Sequence, residues 1–321
     1  MRTIFGFKLS SITLRKFRFM RVLYLSNSNL EHFRNEVSHL IHLRYITFQD
    51  CYNVLLPFSI GQLLNLQSVN SINTDLPFIP TSLWNIATLR HARFWPVKEW
   101  SPVKTKKQKE LQTLSISVPH AGKVQKYIWS HTQKSLMDMT QLTSLMLFGD
   151  NIPVDILTNL SGHQNLVKLY LGWLSGQNEF LRINLFPPNL RTLVLRIRSP
   201  LQEDVLLILA KLRSLGQLFL AIPEYEGPSL ASPPGGFRQL QRLVLASISV
   251  EKLRFEAGTM PNLTNLSFYK CKRMASLPVP DGLLNLPSVT ELILEGMENK
   301  LIKENCEELE KKGCKLIIND N

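Results

Sequence analysis

The side chains in this sequence that could perform catalysis are scattered along the chain. Four carboxylates in predicted turns, Asp155, Asp204, Glu224 and Glu226, have no partner at a fixed offset, so no acid–base pair is specified. The seven histidines are dispersed, and the signatures GxSxG, HExxH, GxGxxG and GxxxxGK(S/T) do not occur. We therefore predict a protein that is not an enzyme and that uses no metal, nucleotide or other cofactor.

The formal charge of +12 raises the question of a nucleic-acid or membrane partner. Basic residues occur singly, except for one cluster between two predicted strands, formed by Lys104, Lys106, Lys107 and Lys109. We interpret this cluster as a solvated loop and predict no nucleic-acid partner. No apolar run reaches the roughly 18 residues of a membrane span, and Lys8 breaks the apolar run that a signal peptide would need.

A regular repeat of leucines and other apolar residues must position the functional side chains. Repeats that start at Met20, Leu43, Leu66 and Leu89 are 23 residues apart, a period typical of leucine-rich repeats. Each begins with an LxxLxL-like pattern, which predicts a short strand, and continues with more widely spaced apolar residues. Further predicted strands begin at Leu111, Leu142, Leu166, Leu190, Leu215, Leu240, Leu263 and Val289, which makes twelve in all.

The alternation within each strand predicts which residues are buried. Positions one, four and six face the core, whereas positions three, five and seven face solvent. Parallel strands stack about 4.8 Å apart, closer than the segments that return the chain, so the array is expected to bend. We predict an α/β solenoid, a leucine-rich-repeat horseshoe of about 12 repeats. Its parallel sheet would line the concave face, opposite an irregular or helical convex side.

The solvent-facing columns of this sheet are the predicted interaction surface, because aromatic and arginine side chains dominate binding hot spots. Position five holds Tyr24, Thr47, Asn70, Arg93, Ser115, Met146, Tyr170, Val194, Phe219, Val244, Ser267 and Ile293. The residues predicted to bind a protein ligand are Tyr24, Arg44, Tyr45, Arg93, Trp95, Phe148, Tyr170, Trp173, Arg196, Phe219 and Tyr269. The alternative is that the long segment after Ser117 covers the middle aromatic residues, which would then be core.

The repeat array is predicted to span residues 20–300 and to be irregular at 95–141. Residues 1–19 are interpreted as the remnant of an earlier repeat with a connector, and residues 301–321 as a capping helix and strand. Apolar spacing between Ser117 and Thr140 favours a short amphipathic helix. Gln202, Glu203 and Asp204 precede an apolar run and favour the start of another helix. Since the chain begins inside a repeat, we expect a fragment or a truncated member of a longer family.

The four cysteines fit neither a disulfide framework nor a zinc site, because no CxxC or HxxxH accompanies them. This favours a reducing compartment. Two of them, Cys51 and Cys271, share the ninth position of their repeats, counted from Leu43 and Leu263. A small polar side chain at that position can bond the backbone of the turn that leaves the strand. We therefore predict that both are structural.

Six stretches together carry a resemblance to a known family. They are FRFMRVLYLSNSNL (17–30), HLIHLRYI (39–46), TSLWNIATLRH (81–91), GGFRQLQRLVL (235–245), AGTMPNL (257–263) and LTNLSFYKCKRMASLP (263–278). In combination they resemble the repeat region of plant intracellular nucleotide-binding leucine-rich-repeat disease resistance proteins, particularly the coiled-coil class in grasses. The coiled coil and the nucleotide-binding domain of that family are absent from this sequence, and Lys252 and Leu253 replace an acidic residue and a tryptophan often found there.

The resemblance implies a cytoplasmic, non-catalytic recognition module of an innate immune receptor. Such a module senses a pathogen effector or a guarded host protein, and it contributes to autoinhibition by contacting the nucleotide-binding domain of the same receptor. Two alternatives remain open. An extracellular receptor ectodomain would carry a signal peptide, paired capping cysteines and glycans at Asn159, Asn262 and Asn265. A ubiquitin-ligase substrate adaptor would need an F-box segment before the repeats.

Overall fold

The computed structural model describes residues 2–9, 14, 16–99, 108–118, 129, 135–175, 182–201, 204–227, 229–248, 250, 252–271, 282–296 and 309–319. The chain divides into two compact units, Met1–Ile152 (unit 1) and Pro153–Asn321 (unit 2). Three predictions fall largely outside the described residues: most of the helix after Ser117, three lysines of the basic cluster, and residues 301–308 of the capping segment.

The described part of unit 1 contains seven parallel strands that pair in chain order. They are β1 (Thr3–Phe7), β2 (Val22–Ser26), β3 (Tyr45–Gln49), β4 (Ser68–Phe78), β5 (His91–Glu99), β6 (Thr113–Ser117) and β7 (Ser144–Phe148). The return segments hold helix α1 (Phe33–Glu36) and the 3-10 turns Val37–His39, Phe58–Gln62 and Thr81–Asn85. A two-residue strand, β8 (Ile152–Pro153), follows.

Unit 2 repeats the same plan. Its main strands are β9 (Lys168–Ser175), β10 (Thr192–Ile197), β11 (Gln217–Ala221), β13 (Arg242–Ala246), β15 (Asn265–Tyr269), β16 (Glu291–Glu295) and β17 (Lys315–Asn319), parallel and in that order. Strands β12 (Ser229–Ser232) and β14 (Lys252–Phe255) form a separate pair. The return segments contain α2 (Ile156–Leu160), α3 (Val205–Leu209) and the 3-10 turns Ile183–Leu185 and Leu283–Asn285.

The register between strands is the one that the leucine pattern predicts. Leu23 lies opposite Ile46, and Leu25 lies opposite Phe48, so equivalent positions of successive repeats are neighbours. All four side chains are fully buried. A buried leucine or isoleucine contributes about 1.5–3 kcal/mol relative to an exposed one. The predicted solenoid of parallel strands is therefore confirmed.

Return segments of neighbouring repeats pack closely against each other. Gly61 lies in the 3-10 turn Phe58–Gln62, where a β-carbon would stand 2.7 Å from the carbonyl oxygen of Ser82 in the next turn. No larger residue fits at that separation without moving backbone. The glycine in LPFSIGQLL thus serves the packing of one repeat on the next.

The ninth position of the repeat carries a polar ladder in unit 1. Ser28, Cys51 and Thr74 occupy this position, and each side chain donates to the backbone carbonyl two residues earlier. Cys271 makes the same contact with the Tyr269 carbonyl at 3.5 Å. Burial raises the pKa of the Cys51 and Cys271 thiols, which keeps them protonated and unreactive. The structural role predicted for both cysteines fits this geometry.

The residue directly before the first leucine of a repeat also links neighbouring repeats. Its side chain reaches a backbone carbonyl one repeat earlier, which leaves fewer unpaired acceptors at the strand entrance. The amide donors are Asn65 to Ile41 (3.0 Å), Asn189 to Gln164 (2.8 Å) and Asn262 to Arg238 (2.7 Å), and Thr88 donates to Leu64 (2.8 Å). Sequence reasoning missed this function, although the recurrent Asn-Leu pair was its signal.

Residues 3–7, which we interpret as part of the remnant of an earlier repeat, form a strand fully in register with β2. Two features differ from the expected pattern. Strand β5 continues past Trp95 to Glu99, because Val97 is buried and pairs with Leu76 of β4. Ser115 and Ser267 stand at position five, yet only 4% and 2% of their surfaces are exposed. Serine is short, so longer neighbours on the same face cover it.

Asp204 provides a stability test because it joins two elements of unit 2. Its carboxylate accepts from the Leu206 amide at 3.0 Å, which caps α3, and from the Ala231 amide of β12 at 2.6 Å. Burial raises the pKa of this carboxyl, and these amides oppose the rise. We expect Asp204→Ala to lower the free energy of unfolding by about 1–3 kcal/mol, measured by urea denaturation.

The matched control is Asp155→Ala. Asp155 precedes α2 in the same way, but it is exposed and makes no side-chain capping bond. We expect this change to cost less than about 0.5 kcal/mol. Equal losses in the two variants would contradict the role given to Asp204.

Candidate protein-binding surface

The outward side chains of unit 1 form an aromatic contact in the middle of its sheet. Trp95 of β5 is 49% exposed, and its ring lies 5.0 Å from that of the half-buried Phe148 on β7, measured between centroids. Strand β6 runs between them, and the outward side chains in its C-terminal half are Ser115 and Ser117. These small residues let the two aromatic rings meet above β6. The pair therefore presents a broad apolar surface to solvent.

Polar side chains beside this pair are ordered by hydrogen bonds across the strands of unit 1. Arg93 donates to Asn70 at 3.3 Å, and Asn70 donates to Thr47 at 3.4 Å. Tyr45 donates to the side chain of Gln67 at 2.8 Å. Tyr24 donates to Gln49 in the same way. Such a network fixes rotamers before a partner arrives, which lowers the entropic cost of binding.

In unit 2, a second cluster surrounds an arginine on β10. The Arg196 guanidinium lies 5.9 Å from the Trp173 ring and 5.6 Å from the Phe219 ring, so it stands between two aromatic groups. Arg198 lies 4.9 Å from the same tryptophan. Trp173 and Arg196 are neighbours because the pairing of β9 with β10 is irregular after Leu195. We call Trp173, Arg196, Arg198 and Phe219 the arginine clamp.

The remaining residues predicted to bind a ligand are less connected. Tyr170 and Tyr269 are half-buried on the outer face of unit 2. Arg44 is exposed directly before β3, and in the described part of the chain its side chain has no hydrogen bond or salt bridge. The structure thus gathers Trp95 with Phe148, and Trp173 with Arg196 and Phe219. The other predicted residues lie along the same outer faces, except Arg44, which stands at position two before β3.

Sequence reasoning missed two exposed apolar contributors. Ile72 is 48% exposed and lies beside Trp95 in the register of β4 and β5. Phe5 is 76% exposed on β1, with its ring centroid 5.8 Å from that of Tyr24. The signal for Ile72 was its place at position seven. The signal for Phe5 was the alternation in TIFGF, which was interpreted as a remnant.

Electrostatics distinguish the two outer faces. The solvent-facing positions three, five and seven of unit 1 hold mostly aromatic or uncharged residues. The basic residues among them are Arg93 and His91. Burial lowers the pKa of His91, and the neighbouring Arg93 and Arg90 charges lower it further. In unit 2, the facing positions of β9, β10 and β13 include Lys168, Arg196 and Arg242.

In the described part of the chain, no group of three or more His, Cys, Asp or Glu side chains could hold a metal ion. None of the described helices is long and apolar enough to cross a membrane.

Comparison with known proteins identifies a family model described as "Leucine-rich repeat region", which matches residues 78–317. Three similar proteins are from Arabidopsis thaliana. "Probable disease resistance protein RF9" is 25% identical over 81% of this chain and 27% of its own length. "Probable disease resistance protein At1g58390" is 27% identical over 91% of this chain and 34% of its own length. "Disease resistance protein RPP8" is 26% identical over 90% of this chain and 29% of its own length. The chain thus spans about a third of the length of these relatives.

Solved structures agree on the fold. A leucine-rich-repeat protein of Leptospira interrogans, LIC12759, superposes with a TM-score of 0.53 at 17% identity, over 96% of this chain and 89% of that one. The plant peptide hormone receptor RGFR1, solved in complex with RGF2, gives 0.51 at 14% identity, over 97% and 57%. At these identities the likeness concerns architecture alone.

His91 makes the outer face of unit 1 sensitive to acid. Its Nδ1 lies 3.2 Å from the Thr113 hydroxyl, and its folded pKa is below the unfolded value of about 6.5. Protonation therefore opposes folding, so stability should fall as pH drops below about 6.5 towards the folded pKa. We expect the protein to lose stability relative to His91→Gln over that range, measured by thermal unfolding at several pH values.

The other histidines are the same in both proteins, so they cancel in this comparison. Above about pH 7.5 the difference between the two proteins should stay constant, because His91 is then neutral in both states. A difference that does not change between pH 7.5 and pH 5 would contradict the lowered pKa.

Proposed function

This chain belongs to the leucine-rich repeat region family, and from that premise we propose that it is the protein-recognition module of a plant disease resistance receptor. Within such a receptor it senses a pathogen effector or a guarded host protein. It also contributes to autoinhibition by contacting the nucleotide-binding domain of the same receptor. We place this activity in the cytoplasm.

The single observation that carries the proposal is the difference between the inward and outward positions of each strand. Inward positions are apolar and buried with few exceptions, such as the buried Ser71, whereas outward positions vary and include the Trp95–Phe148 pair and the arginine clamp. Solvent-facing Trp and Arg side chains held in a fixed geometry are the residue types that dominate protein–protein hot spots. Similarity to disease resistance proteins over most of the chain supports a function in defence.

Contacts at two of the glycosylation sequons favour this proposal over an extracellular ectodomain. The Asn262 amide donates to the Arg238 carbonyl, and the Asn265 amide donates to Glu291. A glycan on either asparagine would replace a contact between repeats. Cys51, Cys271 and Cys314 are free thiols, which suits a reducing compartment.

The proposal is tested by Trp95→Ala with Phe148→Ala in a full-length receptor that carries this region. Removing two aromatic hot-spot residues should weaken partner binding about 100-fold or more. We therefore expect the double variant to lose cell death in leaves co-expressing the effector that the unchanged receptor detects. Accumulation of the receptor is measured by immunoblot in the same tissue.

The control is Phe58→Ala. Phe58 is 64% exposed in a return segment, so the change removes a comparable aromatic group away from the sheet. It should leave the response intact. A double variant that accumulates normally and still responds fully would contradict the assignment of the sheet face as the recognition surface.

A further inference from the structure

The outer face of unit 2 has a one-sided charge over four neighbouring strands. On β9, β10, β11 and β13 the outward residues include Lys168, Arg196 and Arg242 and no carboxylate. Acidic residues first appear on this face at β16, where Glu291 and Glu295 point outward. A surface of this kind attracts acidic partners and repels basic ones.

The arginine clamp holds a guanidinium ready for a carboxylate. The Arg196 guanidinium carbon lies over the Trp173 and Phe219 rings, 5.9 and 5.6 Å from their centroids, and the aromatic faces leave its N–H donors without acceptors. Within the described residues, none of these donors has a hydrogen-bond or salt-bridge partner, although the side chain is half-buried. A carboxylate can bind two of the donors at once. Because aromatic rings on both neighbouring strands restrict the arginine, little further ordering is needed.

A groove lies at the other end of the same strand. Its volume is about 610 Å³, and its lining includes Arg191, Arg213, Gln217, Gln239 and Gln241 but no acidic residue. Neither arginine forms a salt bridge within the part of the chain that the structure describes. All of these side chains carry N–H donors, so the groove suits an oxyanion.

Gly216 accounts for the open space in this groove. It stands at the position that Arg191 and Gln241 occupy in the neighbouring repeats, and it has no side chain to fill the gap. Its backbone amide donates to the Arg191 carbonyl, and its own carbonyl accepts from the Gln241 amide, so the backbone of Gly216 has its hydrogen-bond partners. A β-carbon there would approach nothing closer than 3.6 Å, so the fold does not require glycine.

We propose that the outer face of unit 2 binds an extended acidic segment of the partner protein. One carboxylate pairs with Arg196 in the clamp, and a second enters the groove beside Arg191 and Arg213. Thr192 lines the groove and lies four residues before Arg196, a separation of roughly 13 Å along a strand. Acidic side chains at positions i and i+4 of an extended segment have the same spacing and point to the same side.

The surface suits a peptide better than a nucleic acid. Between the two anion sites lie Val194 and its neighbours Tyr170 and Phe219, which are half-buried and mainly apolar. A phosphate backbone would need a continuous basic track. The basic positions are instead interrupted by apolar ones, and Glu291 and Glu295 follow on β16. The inference rests on the proposed recognition function and specifies the chemistry of the partner.

The experiment uses the purified full chain and a short fluorescein-labelled peptide of alternating glutamate and alanine, followed by fluorescence anisotropy. The same peptide with glutamine for glutamate tests the need for charge, and a short oligo-uridine RNA tests nucleic acid. We expect binding of the glutamate peptide only. Arg196→Gln should weaken it roughly tenfold, and Arg196→Lys should restore only part of the loss because the planar fork is missing.

Two matched pairs separate the proposed sites from general attraction to a basic protein. Gly216→Asp and Gly216→Asn fill the groove equally but differ in charge, so the aspartate variant should bind roughly tenfold more weakly than the asparagine variant. Arg254→Gln removes an exposed guanidinium from β14, outside the main sheet, and should change affinity less than about twofold. Thermal unfolding of each variant verifies that the fold is intact.

Several results would overturn the inference. They are equal losses for Arg196→Gln and Arg254→Gln, equal binding by the two Gly216 variants, equal binding of the glutamine peptide, or tighter binding of RNA. None of these outcomes bears on the Trp95 and Phe148 test in leaves. If the double variant loses its response in leaves but the glutamate peptide does not bind as expected, the recognition function stands and the partner has a different chemistry.

Discussion

Hydrogen bonding between parallel strands in a fixed register is the constraint on which the rest of this molecule depends. Because β2 and β3 pair Leu23 with Ile46 and Leu25 with Phe48, every apolar residue of one repeat meets its equivalent in the next. A slip of one residue would turn this buried set outward and place tyrosines and arginines in the core. The leucines therefore fix which side chains are free for contact.

The same constraint explains how far the sequence could be interpreted. The strands, their register and their buried positions follow from the 23-residue period. The hydrogen bonds that Asn65, Asn189 and Asn262 donate between repeats could not be derived from hydrophobic periodicity. They depend on the distance from a side chain to a carbonyl one repeat away. Residue spacing does not contain that distance.

The candidate surface was predictable as a set of positions but not as clusters. Alternation places Trp95, Phe148, Arg196 and Phe219 outward, whereas contact between Trp95 and Phe148 depends on two serines on the strand between them. Trp173 meets Arg196 only because the pairing of β9 with β10 is irregular. Burial of Ser115 at an outward position has the same origin, because the size of neighbouring side chains decides exposure. The assignment of these clusters to partner binding remains a prediction.

The most direct test of the account is where a bound partner covers the chain. Hydroxyl-radical footprinting with mass spectrometry, on a receptor carrying this region with and without the protein it detects, reports the exposure of individual side chains. We predict that the bound partner protects Trp95 and Trp173 on the sheet faces from oxidation. Oxidation of Tyr52 and Phe58, which are 55% and 64% exposed in the return segments, should be unchanged. Protection of Tyr52 and Phe58 with Trp95 and Trp173 unchanged would contradict this prediction.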